Sequence, residues 1–162
     1  MRLTERQGGF TYLLLLVALS ALALSLLKSQ DSVQMRYWEQ QEAELLFRGE
    51  QYRAAIAAYR AVGNGCFPVR VEQLTLDKRG PTPRYHLRQA WVDPLTNDKT
   101  WGAIYDPQGR WIGVRSLGKG KPRRKVGFSH DIETFSKAKS YYDWTFKVEG
   151  DPQAPMPAAC GR

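Results

Sequence analysis

The hydrophobic and polar positions of this chain fall into three patterns, and each predicts a different element. From Phe10 to Leu27 there are 18 residues without a charge, bounded by Arg2 and Arg6 on one side and by Lys28, Asp31 and Arg36 on the other. At about 1.5 Å per residue such a run makes roughly 27 Å of helix, close to the thickness of a hydrocarbon core. Its only polar side chains are the hydroxyls of Thr11, Tyr12, Ser20 and Ser25, which backbone carbonyls of the helix can satisfy in lipid. Past Lys28 the pattern changes to spacings of three and four. Trp38, Glu42, Leu45, Gly49, Tyr52, Ile56 and Tyr59 share one face, apolar apart from Glu42 and Gly49, while Arg36, Gln40, Glu44, Arg48, Glu50 and Arg53 lie opposite. Gly63, Asn64, Gly65 and Pro68 supply the stop. Joined, the two parts predict one helix from Phe10 to Val62, about 80 Å long.

Alternation takes over further on. Thr100–Tyr105 and Arg110–Leu117 are rich in aromatic and β-branched residues and flank Asp106-Pro107-Gln108-Gly109, which predicts a hairpin. Ser140–Val148 offers a third strand. Between helix and hairpin, Val69–Leu76 predicts a short helical turn, and Gly80, Pro81 and Pro83 break anything longer. The tail from Asp151, with Pro152, Pro155 and Pro157, is expected to be irregular. The predicted fold class is α+β, with a long N-terminal helix packed on a small antiparallel sheet.

Charge adds one feature. The net charge is +8, and residues 28–162 hold 22 basic against 15 acidic groups, or +7, so the excess belongs to the part after the apolar run. Its densest patch is Lys119, Lys121, Arg123, Arg124 and Lys125. One reading is an electrostatic footprint for DNA or an acidic partner; the other is a solvated loop between strands. No aromatic residue sits inside the patch to stack on bases, so a nucleic-acid partner is not expected. Cys66 and Cys160 agree with an oxidising compartment. Bonded, they would tie the tail to the end of the long helix; two free thiols are the alternative.

Candidate chemistry is sparse. His86 stands between Tyr85 and Leu87, and Ser129-His130-Asp131 are adjacent letters, whereas a working triad draws its groups from separated positions. No enzymatic activity is predicted. Asp93, Asn97 and Asp98 carry oxygens suited to calcium, yet Lys99 adjoins them and the same residues make ordinary turns. Calcium is the one cofactor candidate.

At the head of the apolar run, a polar leader containing Arg2 and Arg6 ends in Gly8-Gly9 and gives way to Phe10-Thr11-Tyr12. This junction resembles the class III leader of type IV pilins and type II secretion pseudopilins. The resemblance implies a prepilin peptidase that cuts after Gly9 and methylates the new terminus at Phe10. It also implies assembly through the helix bearing Leu14, Leu15, Val17 and Leu22, with other pseudopilins and an inner-membrane assembly platform as partners. The family usually carries glutamate where this chain has Leu14, which points to a minor or specialised subunit. Leu74 to Trp91 with Asp93-Pro94, and Tyr142-Asp143-Trp144, are similar to stretches of secretion-type pseudopilins, whose major subunits bind calcium near the sheet. The implied organisation is a leader at 1–9, a transmembrane and filament-core helix at 10–27, the soluble half of the helix at 28–65, a globular domain at 66–150 and a tail at 151–162. The implied location is a bacterial inner membrane crossed once, with the C-terminal domain in the periplasm. Two alternatives stand beside it. One is a cleaved secretory signal with its site at Ala21-Leu22-Ala23. The other is a membrane-tethered binding module that uses the 119–125 loop.

Overall fold

The computed structural model describes residues 8–160, without the side chains of 27–31, 130 and 131. Most of the expected leader, residues 1–7, therefore lies outside the described residues, as do the side chains of His130 and Asp131. The chain divides into two compact units, Met1–Glu39 and Gln40–Arg162. Helix α1, Gly8–Val62, runs from the first into the second.

In the first unit, Gly9–Leu26 is long and apolar enough to cross a membrane, and none of it is buried. Ser20 and Ser25 each donate their hydroxyl to the carbonyl four residues earlier, Leu16 and Ala21, at 2.8 Å. These groups are thus satisfied within the helix, as an apolar surrounding requires.

In the second unit the three-and-four stripe of α1 becomes the core face. Leu45, Tyr52, Ile56 and Tyr59 are at most 1% exposed, with Ala55 beside them. Three antiparallel strands, β1 (Gly102–Tyr105), β2 (Trp111–Arg115) and β3 (Thr145–Lys147), form one sheet in the order β1-β2-β3. Ala103 pairs with Val114 and Val114 with Phe146. Gly49 of α1 lies against the Phe146 ring, and a Cβ at that position would collide with it. The β1–β2 turn is held by Asp106, whose carboxylate accepts the backbone N–H of Gln108 and Arg110 at 2.9 Å and the Arg110 guanidinium at 2.6 Å. Gly109 supplies the positive φ, 78°, that the turn needs.

Two elements differ from the sequence expectation. The strand expected over 140–148 is confined to Thr145–Lys147, because Tyr141–Asp143 forms a 3-10 turn. Ser140 and Asp143 cap one another there, a local bonding pattern that competes with strand pairing. The tail is not wholly irregular. Pro157–Cys160 makes a helical turn, α3, with proline at a first-turn position where its missing N–H costs nothing. A short α2, Glu72–Thr75, lies inside the segment expected to be helical.

The stretch from β2 to β3 contributes to the core. Phe135 stacks on Trp144 with ring centres 5.5 Å apart, and meets Phe146 edge-on at 5.3 Å. Trp144 and Phe146 are fully buried. At the other end Cys66 and Cys160 are joined by a disulfide that closes a 94-residue separation, and the tail is further held by Arg60–Asp151 at 2.9 Å and Arg110 to the Ala154 carbonyl at 2.8 Å.

Candidate functional site

Gly9 and Phe10 occupy the first turns of α1, where no acid is present, and Phe10 is 69% exposed. Leu14, Leu15, Val17 and Leu22 are each more than half exposed. Phe10, Leu14 and Val17 follow one stripe by their spacing of four and three; Leu15 and Leu22, seven apart, follow another. Apolar side chains thus surround the helix on more than one face. Water is a poor partner for such a surface, and lipid or other helices are the surroundings that suit it.

The second feature centres on Glu42, which is only 1% exposed. Its carboxylate accepts the backbone N–H of Arg123 at 2.6 Å, that of Arg124 at 2.9 Å, and the Tyr141 hydroxyl at 2.7 Å. Burial, with the bond to Glu42 next, pushes the Tyr141 phenol well above its ordinary range, so it stays a donor. The basic loop is therefore tied to α1 through its backbone. Its five cations divide in role. Arg124 donates Nε to the Val126 carbonyl at 3.1 Å, bonds the Gly127 carbonyl and lies over Phe128 at 5.3 Å. Lys125 Nζ donates to the Ala138 carbonyl at 2.9 Å. These two brace the loop; Lys119, Lys121, Arg123 and Lys125 itself are exposed, and Arg124 is half-buried. Glu42 was legible as a charge on an apolar stripe; its backbone donors, more than 80 residues away, carry no sequence signature.

The calcium candidates are brought together as a turn. Asp93 is fully buried. One of its carboxylate oxygens accepts the Leu95 N–H at 3.0 Å; the other accepts the Ser116 hydroxyl at 2.7 Å and the Leu117 N–H at 3.2 Å. Asn97 takes a positive φ of 56°. Asp98 accepts both the N–H and the hydroxyl of Thr100, bonds that lower its pKa. The carboxylates thus face donors of their own loop and, for Asp93, of the segment that follows β2. Among the described residues no group of three or more His, Cys, Asp or Glu is placed to hold a metal.

His86 belongs to a brace that spacing alone did not reveal. Its Nε2 meets Asp77 at 2.9 Å; Arg79 binds the same carboxylate through Nε at 2.9 Å and a terminal nitrogen at 2.8 Å, and stacks over Tyr59 at 3.4 Å. Hydrogen bonding from Arg79 outweighs burial and, with His86, holds the Asp77 carboxyl far below the usual carboxylate range.

Comparison with known proteins adds no family: no family model, no curated protein and no solved structure matches this chain.

Proposed function

We propose that this chain is a pseudopilin-like subunit, minor or specialised, of a type II secretion or related type IV filament machine. The observation that carries the reading is the double character of α1. Its Gly9–Leu26 portion is unburied and apolar, while its later turns form the core face of a small α+β domain. A helix of that kind is suited to moving from lipid into a bundle of like helices, exchanging one apolar surrounding for another. The Gly9-Phe10 junction at its head supports cleavage there by a prepilin peptidase and methylation of Phe10. Leu14 supports a specialised place, because a carboxylate in lipid is costly unless paired and this subunit brings none. The protein would be held in the inner membrane with its domain on the periplasmic side. It would meet other pseudopilins and an assembly platform, with force supplied by a separate cytoplasmic ATPase.

Cross-linking in cells tests the assembly. With Val17→Cys and a prepilin peptidase present, oxidation should give a ladder of cross-linked species that Gly9→Val abolishes. A protein that stays monomeric under those conditions, or a ladder indifferent to Gly9→Val, contradicts the reading.

A further inference from the structure

Strand β1 is one of the two outer strands of the sheet. Among the described residues it pairs only with β2, and no other backbone hydrogen bond reaches Gly102–Tyr105. An edge of this kind presents free N–H and C=O groups to an incoming strand. Beside it lies an open cavity of about 250 Å³ between β1, α1 and the segment at Val69–Val71. Trp101, Ala103 and Tyr105 line it, alternate residues that therefore share one face of β1. Its aromatic floor is fixed in place. Tyr52 and Trp101 both donate to the Trp91 carbonyl, at 3.3 and 2.8 Å, and their rings pack 5.3 Å apart. Arg70 and Lys99 complete the wall, and no acid among the described residues lines it.

We infer that the β1 edge and this cleft form a docking site for an extended acidic segment of another protein, added to the sheet as a fourth strand. Two features act together. Main-chain bonds to β1 give such a segment its direction, and every second side chain then points to the cleft side of the sheet. One apolar side chain enters the aromatic floor, and acids two positions before and after it meet Arg70 and Lys99. The recognised pattern is acid, any, apolar, any, acid. This inference does not rest on the filament reading.

The test uses the full chain in detergent and a fluorescein-labelled peptide, Thr-Glu-Thr-Leu-Thr-Glu-Thr, followed by anisotropy. The peptide should bind at least tenfold more tightly than its counterpart with lysine at both glutamate positions. Lys99→Glu, a change at an exposed site, should weaken it at least fivefold. Two further probes, N-methylated on alternating sets of amides, separate strand addition from charge attraction. Only every second amide faces the strand, so one should bind at least tenfold more weakly than the other. Equal binding of the acidic and basic peptides, equal binding of the two methylated probes, or no binding overturns the proposal. A dimer by light scattering that Lys99→Glu dissolves, with no peptide bound, assigns the edge to a second copy and overturns it as well.

Discussion

Glu42 is a carboxylate on an apolar helix face with three donors directed at it. Removing it leaves two backbone N–H groups and a phenol without their acceptor in a buried place, and each such loss is worth about 1–3 kcal/mol. Glu42→Ala should therefore destabilise the second unit by about 3 kcal/mol or more, read as a lower urea midpoint. Glu42→Gln keeps one accepting oxygen and should lose less. Asp77 sets a pH dependence. Its folded pKa is depressed by Arg79 first and by His86 as well, so its stabilisation is present above the unfolded value near 3.9 and lost as pH falls below it. Asp77→Asn should be less stable at pH 7 and should show a flatter stability profile between about pH 4 and 2, measured by thermal melts across that range. At this scale the sequence was readable only in part. Glu42 stood out against Leu45 and Tyr52 because periodicity assigns faces. The partners of Glu42 and of His86 come from distant backbone or from loops, which periodicity does not reach.

Between elements, helix and sheet approach closely at Gly49, where a Cβ would meet the Phe146 ring. Gly49→Val adds volume where none is free and should cost about 1–3 kcal/mol, against a helix-propensity gain of only a few tenths; a urea titration reads the balance. The disulfide joins the segment after α1 to α3. Breaking a link across 94 residues frees a large unfolded-state loop, an effect of about 4.7 kcal/mol in the chain-entropy treatment. The double variant Cys66→Ser with Cys160→Ser should melt at least 10 °C lower, since each kcal/mol is worth about 4 °C for a domain of this size. Reductant should lower the melting temperature of the natural chain and leave that of the variant unchanged. The helix and the β1–β2 hairpin were legible because each has its own period and its own stop or turn residues. The third strand was read too long because Tyr141, Tyr142 and Trp144 have strand propensity, while the capping by Ser140 and Asp143 decides their backbone. The basic loop was read as a solvated connection between strands or as an electrostatic footprint; what neither reading held is its tie to α1 and its lead into the Phe135–Trp144 cluster.

For the whole molecule, the proposal is that a folded domain is delivered to a filament by the apolar part of α1. The membrane-compatible run was legible from composition alone, and the exposure of Leu14, Leu15, Val17 and Leu22 accords with it. The proposed processing junction rests on its resemblance to a leader alone, because a peptidase recognises a short motif that leaves no mark on the fold. The direct measurement is the intact mass and N-terminal fragmentation of the protein made together with a prepilin peptidase and extracted from membranes. The account predicts a chain that begins at Phe10 with a methyl group on its amine. A chain that keeps Met1–Gly9 in the presence of an active peptidase would contradict it.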